Sequence, residues 1–575
     1  MRNLRPKRYW RRIGWIVLTA AGTVIAFLAG YWAGYRWAPP PEAPPPVDYL
    51  DLLIIGGTVI DGTGRPGRRL DVGVRRGRIV WVGQWPRQGE KRVRVRRIVD
   101  ATGRVVAPGF IDVHTHVEAN IPREGPFRAP NFIGQGVTTI VTGNCGTSVV
   151  DVQSLFHRLE HQGSQVNIAT LVGHNSLRRE VLRSPDRPAT PSEVAAMRAR
   201  LRQAMEAGAV GFSTGLAYRP GVYATPQEVE ELVRTVQSFG GLYATHIRDE
   251  GLGSREALRE AIEVAQRTGV RLHVCHFKLA GRAQWGQAKE RLHELEMLWG
   301  RVWKFLPDFR NLPSGILSGS CSQELRVTLD AYPYAASSTN LEVLVPPHLL
   351  QGDVFRRRPI EEVARAVVEQ ARRNQWSDFS FARVAYYAPD TSIEGLTIPE
   401  VAARWGETNP GDIEAQARVI VRMLRRGGAQ MVYEEMDEKD VMQILAYPQT
   451  MYGSDSAVRT PGEGRPHPRG WGTFPRILGL YVRERRLLSL EEAIYRMTDL
   501  PARTFCLGRR GRIAPGYWAD IVVLRPQTIR DRATYEDPFQ RPMGIDFVWV
   551  NGDLVLDRGR ETGRFPGQPV RRHCL

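Results

Sequence analysis

The sequence of 575 residues predicts an α/β fold: a (β/α)8 TIM-like barrel with a small β-sandwich domain built from N- and C-terminal segments, preceded by an N-terminal transmembrane helix. Three observations predict it. Strand-like apolar runs alternate with amphipathic helical stretches from about residue 108 to 500, as in a parallel-stranded barrel. Short strands broken by Gly and charged turns fill 48–107 and return after 505. Residues 13–35 carry no charge at all.

In chain order, residues 1–12 form a basic segment holding Arg2, Arg5, Lys7, Arg8, Arg11 and Arg12. The uncharged stretch 13–35 that follows would make roughly 34 Å of helix, enough to span a bilayer core. Positive charge ahead of the span predicts a cytoplasmic N-terminus, a single-pass protein of the inner membrane and a folded part on the periplasmic side. A cleaved signal peptide and a secreted protein is the alternative. The linker 36–47, with WAPPPEAPPP, reads as an extended spacer. The small β-domain takes 48–107 and 505–570, where GRIAPGYWADIVVLRP and IDFVWVNGDLVLDRG read as strands again. The barrel takes 108–504. Its strands include TTIVTG, VNIATLVG, AVGFSTG, LYATHI, RLHVCHF and RVTLDAY, and its helices PSEVAAMRARLRQAMEAG and PQEVEELVRTVQSFG. Residues 298–325 exceed what one barrel helix needs; they read as a surface insertion, with a lid or membrane-facing loop as the alternative.

A hydrophobic fraction of 42% supports a large core, and the formal charge of +18 raises the question of a nucleic-acid partner. The basic residues run along the whole chain, without an aromatic-flanked cluster or recognition module, so a nucleic acid is excluded. Five cysteines (145, 275, 321, 506, 574) are too few and too scattered for a disulfide framework, and those other than Cys145 read as small buried hydrophobes.

The chemistry lies in donors placed after apolar runs. His114 and His116 stand in APGFIDVHTH, Cys145 in TGNCG, His246 in ATHIRDEG, His276 in VCHFKLAG and Asp455 in YGSDS. Barrel enzymes carry their reactive groups at the C-terminal strand ends, where these residues fall. Two histidines at i and i+2 share one face of a strand and reach one ion. Singly, His246 and His276 read as satisfied structural histidines, Cys145 as a buried thiol and Asp455 as a cap or turn residue. Together they form the donor set of a one- or two-zinc hydrolytic site, with Asp455 as ligand and as base toward the attacking water. Such sites need a bridging anion, often a carboxylated Lys. No Lys lies between Lys91 and Lys278, and Cys145 occupies the right place in chain order. Arg248, Lys278 and Arg469 put cations near the donors, as an anionic small-molecule substrate requires. Tyr332 and Tyr334 of DAYPYAASS add hydrogen bonds there or pack in the barrel wall.

APGFIDVHTHVE, GVTTIVTGNCG, LVGHNSLR, GFSTGLAYRPGVYAT, THIRDEG, CHFKLAG, DAYPYAASST and GSDSAV…RPHPRGWGTFPRILGLYVRE, taken in order, resemble the N-acyl-D-amino-acid deacylases (D-aminoacylases) of the metal-dependent amidohydrolase superfamily. The resemblance covers about residues 49–570. It implies zinc-dependent hydrolysis of N-acyl-D-amino acids to a carboxylate and a D-amino acid. Cys145, His246 and His276 would hold a tightly bound zinc, and His114, His116 and Asp455 a second, weaker position. Asp455 would be general base and then general acid; Lys278, a Tyr of the YPY element and Arg469 would grip the substrate α-carboxylate. Phe277 stands where the family often has His, and the segments 456–468 and 298–325 look longer than usual, which bears on acyl and side-chain preference. The competing expectations are a cyclic-amide hydrolase of the dihydroorotase or hydantoinase type and a non-catalytic membrane-tethered binding protein.

Overall fold

The computed structural model describes residues 49–85, 93–299 and 327–573. Eight parallel strands follow one another in chain order: β1 (Phe110–Asp112), β2 (Val137–Thr142), β3 (Asn167–Gly173), β4 (Gly211–Gly215), β5 (Leu242–His246), β6 (Arg271–Val274), β7 (Val327–Ala331) and β8 (Thr450–Tyr452). Strands β2 and β3 are buried at every position, because helices cover the outside and packed side chains fill the inside. The connecting helices begin where the sequence places capping residues. Thr190 and Glu193 form a capping box ahead of Pro191–Glu206, and Thr225 caps Pro226–Ser238, each with Pro in the first turn. The ring closes through backbone bonds just beyond β1 and β8. Thr115 bridges Ser456, the Asp455 N–H donates to the His114 carbonyl at 2.8 Å, and the His116 N–H donates to the Ser456 carbonyl at 2.9 Å.

Beside the barrel lie two sheets. One has four strands, drawn from Arg78–Gly83, Asp71–Arg75, Leu52–Ile55 and Ile98–Asp100; the other has seven and joins Val105–Pro108 antiparallel to Ile521–Leu524. Their apolar faces share one core, with Ile54, Val72 and Ile79 on the first sheet and Val106, Ile521, Val523 and Trp549 on the second.

Between β7 and β8 the chain leaves the barrel, where continued alternation of barrel units was expected. Ser337–Asn340, Gln430–Tyr433 and Ala382–Tyr386 form an antiparallel sheet in that order, packed with the helices Ile360–Arg373 and Ile413–Arg425 around a core of their own. This insert stands over the C-terminal strand ends of the barrel, where Arg469 donates to the Ser338 carbonyl and the Gly281 N–H donates to the Glu435 carbonyl.

The expected fold class is corrected on one count. No helix among the described residues is long and apolar enough to cross a membrane. The longest, Pro191–Glu206, has 16 residues and only a stripe of buried positions. The expected transmembrane helix is therefore not part of the described fold. The segments 1–12, 13–35 and 36–47 and nearly all of 298–325 lie outside the described residues. Cys506, expected as a simple buried thiol, is disulfide-bonded.

Candidate metal centre

The donors converge on the thiol of Cys145. Its Sγ lies 3.3 Å from His114 Nε2, 3.6 Å from His246 Nδ1 and 3.2 Å from His276 Nε2. Asp455 Oδ1 lies 3.0 Å from His116 Nε2 and 3.6 Å from His114 Nε2. A tetrahedral zinc with S and N ligands at their usual lengths separates those atoms by about 3.5 Å, so the spacing fits. Three groups of donors, His114/His116/Cys145, Cys145/His246/His276 and His114/His276/Asp455, each keep their ligand atoms within 4.8 Å of one another.

The backbone is bent to achieve this. Cys145, His276 and Asp455 have φ of 50°, 33° and 48°, the left-handed region that costs a non-glycine residue of order 1–3 kcal/mol. Tight approaches accompany the bends. A Cβ on Gly215 would sit 2.2 Å from the Cys145 carbonyl, and one on Gly453 2.5 Å from the His114 Cβ. Strain gathered at three donors marks a place where geometry outranks local comfort.

Charge at the site suits a cation. Burial pushes the Cys145 thiol up, but Cys275, His276 and His114 outweigh it and hold it well below the usual thiol range. Burial likewise opposes ionisation of Asp455, and Arg469, then His276 and His114, hold it well below the usual carboxylate range. Arg469 Nη1 is 2.9 Å from Asp455 Oδ2. A thiolate and a carboxylate among imidazoles form a borderline-soft donor set of the zinc type.

A family model for the amidohydrolases matches residues 97–331 and 411–556. A D-aminoacylase from Alcaligenes xylosoxydans xylosoxydans is 36% identical over 91% of this chain and 98% of its own length. An N-acyl-D-glutamate deacylase of the same organism is 36% identical over 91% and 97%. The chain belongs to the amidohydrolase family, among the D-aminoacylases. The crystal structure of N-acyl-D-glutamate deacylase from Bordetella bronchiseptica, complexed with zinc and a phosphonate inhibitor, superposes with a TM-score of 0.74 at 36% identity, over 91% of this chain and all of the other. A dihydropyrimidinase from Brevibacillus agri, at 14% identity and a TM-score of 0.52, shares the fold alone.

This amidohydrolase sorts the other expected site residues into two groups. Tyr332 lines the cleft above the donors, with the Arg469 guanidinium 4.6 Å and the Lys278 ammonium 5.9 Å from its ring. Lys278 reaches the cleft too, but its Nζ is held by Glu250 Oε1 at 2.6 Å and lies 2.8 Å from His276 Nδ1. Two others do not serve the centre as expected. Arg248 lines the cleft, yet its guanidinium makes two 2.9 Å bonds to Glu260 and donates to the carbonyls of Val222 and Ala224. Tyr334 packs under Arg476 at 4.8 Å and beside His467, away from the donors.

Sequence reasoning missed the carboxylates behind the histidines. Glu250 stands 3.0 Å from His276 Nδ1 and 3.5 Å from His246 Nε2, the ring nitrogens turned away from Cys145. Asp330 does the same for His114, 3.1 Å from its Nδ1, and also takes His273 Nε2 at 2.8 Å. Such partners fix which nitrogen faces a metal. Tyr218 was missed as well; its ring packs edge-on at 4.6 Å against His246, and Thr339 donates to its hydroxyl at 3.1 Å. The signal for Glu250 was its spacing of four from His246 in THIRDEG.

Proposed function

We propose that the enzyme hydrolyses the amide bond of N-acyl-D-amino acids, releasing a carboxylate and a free D-amino acid. One observation carries this reading: Cys145, His114, His246 and His276 meet at one point beside an ionised Asp455 that is paired with Arg469. Family membership supports the same chemistry, since the relatives include deacylases of this class.

Cys145, His246 and His276 would hold the tightly bound zinc, and His114, His116 and Asp455 a second position. Zinc there would polarise the scissile carbonyl and make an attacking water more acidic. Asp455 takes a proton from that water on a carboxylate oxygen as the new C–O bond forms. It returns the proton to the leaving nitrogen as the C–N bond breaks, so the amine departs neutral. Arg469 keeps Asp455 ionised until then and, with Tyr332 beside it, receives the substrate α-carboxylate. Glu250 and Asp330 hold the imidazoles in place throughout.

The test is a hydrolysis screen of N-acyl amino acids in both stereochemical series, with and without a chelator. Chelator-sensitive release of D-amino acids is the expected result. Activity on the L series alone, or activity indifferent to chelation, overturns the reading.

A further inference from the structure

The cleft over the metal centre is larger than the proposed reaction needs. It is open to solvent and holds about 1090 Å³. Pockets for whole drug-sized ligands run to roughly 1000 Å³, while an N-acetyl amino acid has only about a dozen heavy atoms. The extra space has a direction. The anion-binding pair Arg469 and Tyr332 stands on the side of β7 and β8, and Lys278 is already engaged by Glu250. A substrate gripped there by its α-carboxylate sends its acyl group the other way, toward the loops after β5 and β6.

That side of the cleft mixes apolar and polar groups, with Asp249, Gln370, Arg373 and Asn374 also in its lining. Its apolar part is Leu252 and Ala280 from the loops after β5 and β6, with Ala371, Trp376, Phe379 and Phe381 of the insert. The Trp376 and Phe381 rings stack with centroids 4.1 Å apart in the core of the insert, and the Arg282 guanidinium lies 4.8 Å over Trp376, so the pair offers the cleft a rigid aromatic edge. Leu252 is 48% exposed at the cleft, one of few large hydrophobic residues the described surface leaves open.

Building on the deacylase reading, we infer that this arm binds the acyl group of the substrate, and that the preferred substrates carry a long alkyl or an aromatic acyl group rather than acetyl. Each buried methylene then contributes about a fourfold gain in kcat/KM until the arm is full.

The experiment uses the zinc-loaded enzyme and one D-amino acid acylated with chains from acetyl to decanoyl. A matched series keeps acetyl and lengthens the amino-acid side chain. A steep rise along the acyl series, flattened in Val343→Trp and in Ala371→Phe, is the expected result. Flat kcat/KM along the acyl series overturns the inference while leaving the deacylase reading intact, and a rise confined to the side-chain series reassigns the arm and overturns it too. Calorimetric titration with decanoate and with acetate reads the arm without turnover. Decanoate should bind at least tenfold tighter, and less so in both variants; equal binding of the two acids overturns the inference even if no substrate is cleaved. Val343 is half-buried at the cleft, so its variant guards against misfolding of the more deeply buried Ala371.

Discussion

Arg469 and Asp455 form an ion pair with Nη1 and Oδ2 2.9 Å apart, and both side chains are nearly buried. In the proposed mechanism the pair joins the group that would move the proton to the group that would receive the substrate. Asp455→Asn removes the charge but keeps the shape, and Asn tolerates the left-handed backbone at φ 48°. Turnover is expected to fall by three orders of magnitude or more with little change in Tm. Near-normal kcat would remove Asp455 from the proton path.

Arg469→Ala should separate the two roles of that arginine. Loss of the carboxylate contact costs roughly 10- to 100-fold in kcat/KM on substrates with a free α-carboxylate. An α-carboxamide analogue loses only the share that acts through Asp455. Equal losses on both compounds, measured side by side, would mean that Arg469 does not hold the carboxylate.

Cys145→Ala deletes the donor at which three imidazoles meet. Elemental analysis after dialysis should find less than half of the wild-type zinc. The rise in Tm on adding zinc to chelator-treated protein should shrink accordingly. Full metal occupancy in the variant would move the centre elsewhere.

Glu228 is paired with Arg178 and His174 where all three side chains are buried. Burial pushes the Glu228 carboxyl up, and His174 and Arg178 more than offset it, leaving the carboxyl below its usual range. A depressed folded pKa supplies stability that is present above the unfolded carboxylate pKa and lost as pH falls through the folded value. Glu228→Gln leaves Arg178 buried without its charge partner and should cost about 3–5 kcal/mol near neutral pH. The deficit should narrow in acid, as read by denaturant melts at pH 7 and pH 4.

Glu435 behaves in the opposite sense. Burial pushes its carboxyl up to about 7, against the smaller pull of Ser337 and Lys278. The folded protein therefore keeps a proton that the unfolded chain releases, so stability drains away as pH rises from about 4.5 to 7. Glu435→Gln should raise Tm relative to wild type by more at pH 8 than at pH 5. The same difference at both values would show that Glu435 ionises normally.

The six candidate donors were legible in the sequence because each lies at or just past the end of an apolar strand of a fold that gathers strand ends at one rim. Their supports were not. Asp330 lies in a strand with no wet face, where alternation carries no information about direction. Arg248 sits two residues after His246 and would share its face only if the strand continued. The strand ends at His246, and the side chain swings to Glu260 instead. Tyr334 fails for the same reason, in a loop after β7. The insert escaped notice because its three short strands pair over gaps of tens of residues, and local periodicity cannot separate such strands from those of a barrel.

The ring closes only when the loop bearing Asp455 bonds, backbone to backbone, with the loop bearing His114 and His116. Those loops are among the last and the first pieces of the barrel to leave the ribosome. A chain that stops short of β8 therefore lacks both Asp455 and the seam that holds it beside His114 and His116.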